Sequence, residues 1–206
     1  PQMTGKIEHF IGRKAMNIDG LGTETIQLLF DKGLIKNAAD LYALTFDELL
    51  KLDRMAEKSA NNLLKGLQES KKVSFERVLF ALGIRYVGET VAKKLAKHFK
   101  NIDAIQQATL LELTLVEEIG EVIAQSVNNY FEQPQHRALI ERFKAIGLQF
   151  ELEEAELSST LFVGKSFVVS GVFNAFSRDE LKALIEANGG KNVSSISSKT
   201  DYVVAG

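Results

Sequence analysis

The sequence predicts a mainly α-helical protein of four tandem helix pairs, grouped as two pseudo-twofold units and followed by a truncated α/β segment. Three observations carry this. A five-residue apolar–x–x–apolar–small pattern occurs four times, at 18–22, 52–56, 84–88 and 116–120, each time between stretches of helical character. The small closing residues Gly22, Ala56, Gly88 and Gly120 are 34, 32 and 32 residues apart, a repeat period that marks stacked supersecondary units. Near residue 151 the composition changes, and Ser166-Phe167-Val168-Val169-Ser170 is the first run with the branched and aromatic content of a strand.

The first copy is Ile18-Asp19-Gly20-Leu21-Gly22, between helical runs over 6–17 and 23–32. Two glycines in so tight a turn fit a backbone that needs positive φ and close approach. Thr23 is positioned to cap the second helix. A turn feeding a helix N-terminus gathers free amide donors and the positive end of the helix dipole, which makes an anion site, with phosphate the usual anion. The later copies lead into helices over 57–69, 89–99 and 121–131. Four residues past each closing position stand Ile26, Ala60, Ala92 and Ala124, apolar and mostly small, which lets the second helix lie close to the first. Valine at Gly22 or Gly88 is therefore expected to distort the turn and push a side chain towards the ligand.

Between the copies run short connectors. Residues 37–44 and 45–50 read as two short helices, with Thr45 and Glu48 spaced as a capping box. Their echo is 101–105 and 109–113, so the copies pair as one–two and three–four. The copies are not equivalent. Arg54, Tyr86 and Glu118 stand where the first copy has Gly20. Arg54, Lys58 and Arg85 add positive charge near their turns, whereas Glu117 and Glu118 repel an anion, which makes the fourth turn mainly structural. Lys93, Lys94, Lys97, His98 and Lys100 crowd the helix after the third turn as a solvated face. His9, His98 and His136 have no metal-ligand spacing.

Net charge is −2, which argues against a general electrostatic binder of nucleic acid. Residues 1–150 carry 20 basic and 19 acidic side chains, the remainder 5 and 8, so backbone donors must supply much of any affinity for nucleic acid. There is no cysteine, which excludes disulfides and thiolate metal sites within this segment. Apolar runs fall far short of a membrane span and no signal peptide is visible. The chain begins with Pro rather than Met, as expected of a piece of a longer protein. Residues 1–15 read as a lead-in helix, 16–70 and 71–150 as the two paired units, 151–159 as an acidic linker and 160–206 as a partial α/β domain. In that last part a strand at 166–170, a helix from Arg178 to Asn188 capped by Ser177 and ended by Gly189-Gly190, and strands at 193–197 and 202–205 imply a parallel sheet with a crossover.

The pattern apolar–x–Gly–apolar–Gly–x–x–x–Ala resembles the helix-hairpin-helix motif, a binder of the nucleic-acid backbone. The run IEHFIGRKAMNIDGLG, the four hairpins, and FVVSGVFNAFSRDELKALIEANGGKNVSSISSKTDYVVAG together resemble the C-terminal half of a bacterial NAD-dependent DNA ligase, across essentially the whole chain. The resemblance implies tandem helix-hairpin-helix motifs up to residue 150 and the start of a BRCT domain beyond 160. It implies a parent that seals nicks in duplex DNA in replication and repair, through enzyme-AMP and DNA-AMP intermediates, using NAD, Mg2+ and a structural Zn2+ held just upstream. The K-x-D-G adenylation motif is absent here, so this part should hold no catalytic residue, cofactor or metal and be inactive alone. Implied DNA contacts are Gly20, Gly22, Thr23, Arg54, Ala56, Lys58, Ser59, Gly83, Arg85, Gly88, Thr90 and Gly120, binding phosphates from the minor-groove side without sequence specificity. Ser170 and Gly171 resemble a BRCT phosphate position. Expected partners are nicked double-stranded DNA, the rest of the ligase chain and, through the BRCT-like end, other proteins; no membrane is expected, and the expected location is the bacterial cytoplasm at the nucleoid. Alternatives are the DNA-binding module of a structure-specific repair nuclease and a BRCT-type interaction scaffold.

Overall fold

Helix follows helix from the start of the chain in the computed structural model, which describes residues 2–53, 55–153 and 158–206. The chain divides into two compact units, residues 1–152 and 153–206. Arg54 and the stretch 154–157 of the expected linker lie outside the described residues; Glu151 and Leu152 belong to the first unit, where Leu152 N–H donates to the Lys100 carbonyl (2.7 Å).

The first unit is all helical. Its elements are α1 (Gln2–Ile11), α2 (Thr23–Asp31), a 3-10 turn at Ala38–Ala43, α3 (Phe46–Leu50), α4 (Glu57–Ser70) and α5 (Phe75–Ala81). They are followed by α6 (Glu89–Phe99), α7 (Ile102–Gln107), α8 (Leu110–Thr114), α9 (Glu121–Glu132) and α10 (Pro134–Ile146). The pairs α1–α2, α3–α4, α5–α6 and α8–α9 each pack across one hairpin. Capping boxes start the connectors: Asn37 with Asp40, Thr45 with Glu48 and Thr109 with Glu112. These reciprocal bonds satisfy amides that a five- or six-residue helix could not satisfy internally.

Two expectations at the first hairpin are corrected. The first helix ends at Ile11, well before Asn17, because the chain folds back at Gly12: the N–H groups of Ala15 and Asn17 both donate to its carbonyl, and Met16 N–H returns to Phe10. That reversal drives Ala15 and Met16 into the core, at 1% and 0% exposed. α1 packs on α2 across hairpin one. Thr23 does not cap α2 either; Gly22 occupies the N-cap and Thr23 is the first helical residue.

One continuous apolar core runs through both hairpin pairs. α10 and α1 join them: Phe10 and Phe143 stack with centroids 5.1 Å apart, and Arg142 Nη2 reaches Asp40 Oδ1 at 2.8 Å. His9, on α1, donates to the Phe80 carbonyl of α5 (2.8 Å). α10 is not evident from the sequence pattern, and α5 is expected from it only as the helix that precedes the third hairpin.

The second unit has a three-stranded parallel sheet in the order β2-β1-β3, with β1 (Ser166–Ser170) central, β2 (Lys191–Asn192) and β3 (Tyr202–Ala205) outside, and α11 (Arg178–Ala187) against β1 and β2. The register sets Phe167 opposite both Asn192 and Tyr202. Ser177 and Glu180 form the capping box of α11. The strand expected at 193–197 is not formed. Its hydroxyl groups satisfy the backbone locally, Ser197 N–H to Thr200 Oγ1 (2.9 Å) and Lys199 N–H to Ser197 Oγ (3.2 Å), and such bonds compete with a sheet ladder.

Candidate nucleic-acid interface

Each hairpin is fixed by its first and fourth residues. Ile18 and Leu21, Ile84 and Val87, and Val116 and Ile119 are buried; Leu52 is buried and Met55 partly so. The described residues between them face outward. Turn bonds close the later hairpins, Met55 N–H to Leu52 (3.2 Å), Val87 N–H to Ile84 (3.0 Å) and Ile119 N–H to Val116 (3.1 Å). The third residue is left-handed wherever it is described, with φ 91° at Gly20, 66° at Tyr86 and 66° at Glu118, as a turn of this kind demands. Arg54, the fourth member of this set, lies outside the described residues.

The closing residue has a different function from the one the sequence implied. Gly22, Ala56, Gly88 and Gly120 all have φ between −81° and −85° with extended ψ, a conformation open to any residue. A Cβ placed on Gly22, Gly88 or Gly120 meets nothing within 4 Å. Contrary to expectation, valine there would not distort the turn; it would only fill the open space in front of the helix. Each closing residue is the N-cap of α2, α4, α6 or α9, and Gly and Ala carry no side-chain oxygen to cap with. The first ladder bonds run from Ile26, Ala60, Ala92 and Ala124 back to the closing carbonyls, 2.9–3.0 Å. In each helix the three amides ahead of that bond are outside the ladder and point forward. Ile26, Ala60, Ala92 and Ala124 are themselves 0% exposed, which is why they are apolar and, in three copies, small.

Thr23, Lys58, Ser59 and Thr90 all lie exposed in these first helical turns, beside the open amides. Gly83 stands apart: it closes α5 in a left-handed conformation (φ 67°), with His9 Cδ2 3.4 Å from where a Cβ would be. Its glycine is explained by the chain reversal alone.

The hairpins are held in pairs. Gly20 lies against Leu63 of α4, and Ser126 Oγ of α9 donates to the Arg85 carbonyl (2.7 Å). Lys94 of α6, its side chain only 23% exposed, reaches Glu118 at 2.8 Å and Glu117 at 3.9 Å. The repulsion expected of these two carboxylates is thus partly compensated from the neighbouring motif. Lys14 pairs with Glu89 at the start of α6 (2.9 Å), whose hydrogen bond and charge raise the lysine pKa above 10.5. Arg77 Nη2 and Nε donate to the carbonyls of Arg13 and Lys14. The basic residues beside the first hairpin are therefore fixed to the third motif, a link that no spacing in the sequence announces.

In the second unit Ser170 is exposed at the end of β1. A Cβ on Gly171 (φ 104°) would run into the backbone of Gly206, and the Gly171 carbonyl accepts from Arg178 Nε (2.7 Å). The space beside Gly171 is filled by Gly206. Among the described residues no helix is long and apolar enough to cross a membrane.

Comparison with known proteins agrees with this geometry. Residues 13–69 match the SAM-like helix-hairpin-helix tandem family, 77–140 the helix-hairpin-helix motif family and 157–206 the BRCA1 C Terminus (BRCT) domain family. The whole chain aligns with a DNA ligase of Flavobacterium johnsoniae at 61% identity, one of Phocaeicola vulgatus at 57% and one of Azobacteroides pseudotrichonymphae at 49%. In each case all of this chain is covered but only 31% of the relative, so it spans about a third of the length of the curated relatives it matches. The chain is thus similar to the helix-hairpin-helix and BRCT families over the residues matched, and along its whole length it is similar to one stretch of the DNA ligases.

Proposed function

We propose that this chain is the DNA-holding portion of an NAD-dependent DNA ligase, gripping duplex DNA around a nick through backbone phosphates and without reading sequence. The observation that carries the reading is the set of four uncapped helix N-termini, each opened by a Gly or Ala with free space in front of three of them. Amides aimed into such space suit a phosphate that must come close to backbone, and they carry no sequence information. The ligase relatives supply the second support. NAD, Mg2+ and Zn2+ are proposed for the whole ligase only. Among the described residues no three His, Cys, Asp or Glu converge as a metal site. Nick sealing and a location at the nucleoid are likewise proposals for the parent protein.

The test is fluorescence anisotropy on two nicked duplexes of unrelated sequence across a salt series. Gly22→Val and Gly88→Val should each weaken binding by about 1–3 kcal/mol, equally on both duplexes, with the salt slope nearly unchanged because the lost donors are neutral. Lys58→Ala should flatten the slope by about one unit. Losses that differ between the two sequences would refute backbone gripping.

A further inference from the structure

We infer that Tyr86, with Leu110 and Val122, forms an apolar bearing for the deoxyribose edge of the strand whose phosphates hairpins three and four hold. This rests on the phosphate-gripping reading above and assigns a second kind of contact to the same face.

The first observation is strain. Tyr86 occupies the left-handed position that Gly20 fills at no cost in the first hairpin, and its φ of 66° is unfavourable for an aromatic residue. The side chain is not repaid by burial, since it is 54% exposed. Glu118, in the same position of the fourth hairpin, at least meets Lys94. Tyr86 has the Arg85 guanidinium over its ring, 4.9 Å from the centroid. That stack leaves the ring fixed and amphipathic on an outward-facing tip.

The second observation is what surrounds it. Tyr86 and Arg85 share an open depression of about 760 Å3 with Leu110, on α8, and with Val122, in the first turn of α9. Val122 is 65% and Leu110 39% exposed, so three apolar side chains face out together. The depression reaches Glu121 and Val122, the first two residues of the helix that Gly120 opens, and its Arg85 and Tyr86 belong to the hairpin that Gly88 closes. Along a DNA strand phosphates alternate with sugars, and the deoxyribose edge, lacking a 2′-hydroxyl, is apolar. Apolar side chains set beside the hairpins closed by Gly88 and Gly120 complement that order.

Anisotropy on a DNA duplex reads it out. Tyr86→Ala and Val122→Ser should each weaken binding about tenfold, the equivalent of losing part of one apolar side chain's burial, with the salt slope unchanged. Tyr86→Phe should bind as the unaltered chain does. Tyr86→Gly should melt no lower than the unaltered chain, since it relieves the left-handed strain, and yet bind as poorly as Tyr86→Ala. Full binding by Tyr86→Gly overturns the inference, as does a slope flattened by one unit, the mark of a lost phosphate contact. Equal losses in Tyr86→Phe and Tyr86→Ala overturn it too, because the hydroxyl would then be the contact. Weak binding by Gly22→Val with full binding by Tyr86→Ala removes the tyrosine alone; no duplex binding by the unaltered chain removes the phosphate reading with it.

Discussion

Glycines that look alike in the sequence do different work. Gly20 has φ 91°, and Leu63 Cβ lies 3.8 Å from where its side chain would begin, whereas Gly22, two residues on, has an ordinary φ and open space. Gly20→Ala should therefore destabilise the chain by about 1–2 kcal/mol, the cost of a left-handed L-residue. Gly22→Ala should leave stability unchanged or raise it by about 0.4–1 kcal/mol, by restricting the unfolded chain. Chemical denaturation of the two variants side by side checks this. Ala56, which closes the second hairpin with φ −83°, shows that a methyl is accepted there by the fold. The fold itself therefore does not require glycine at the closing positions.

At the scale of elements, the short helices depend on their caps. The backbone and hydroxyl of Thr45 lower the pKa of Glu48 below 4.5, those of Thr109 do the same for Glu112, and those of Ser177 for Glu180. At Asp40 burial raises the pKa, but Arg142 and the amides of Lys36 and Asn37 outweigh it and leave it below 3.8. All four are depressed carboxylates, so their contribution is fully present above the unfolded values and is lost as pH falls through the lower folded ones. Stability from denaturant titration should hold at neutral pH and begin to fall below about pH 4.5. Thr45→Ala and Thr109→Ala should make that fall shallower while costing about 1 kcal/mol each at pH 7, the usual value of an N-cap. An acid limb unchanged by both substitutions would mean that the caps do not carry it.

At the scale of the molecule, the two hairpin pairs are one folding unit because α1 and α10 bridge them. Phe143 is 1% exposed and stacked on Phe10, so Phe143→Ala should cost about 3–5 kcal/mol and unfold both pairs in a single transition. Two separable transitions would show that the pairs are independent. The second unit has a far smaller interior, with Phe167, Val168 and Ile185 its buried apolar side chains among the described residues. Hydrogen exchange should accordingly protect α4, α6 and α9 more strongly than β1 and α11. Equal protection would contradict this.

The sequence by itself determined the repeat, the helices that follow each hairpin, the capping box at Thr45, the cap at Ser177, and the strands at 166–170 and 202–205. Those features are local: a turn needs small residues, a cap needs an oxygen three residues from an amide, and a strand needs branched side chains. The tertiary structure alone decided the rest. It ended α1 at Ile11, because burial of Ala15 and Met16 outweighs continuing the helix. It showed that Gly22 takes the N-cap position and leaves it uncapped, that Gly83 serves the fold, and that Lys94 faces Glu118. It also gave α10 its place, since Phe10 and Phe143, 133 positions apart, meet only once both hairpin pairs are packed. Backbone geometry of a few residues is written in their neighbours, but which side chains face each other across the core depends on distant segments competing to exclude water.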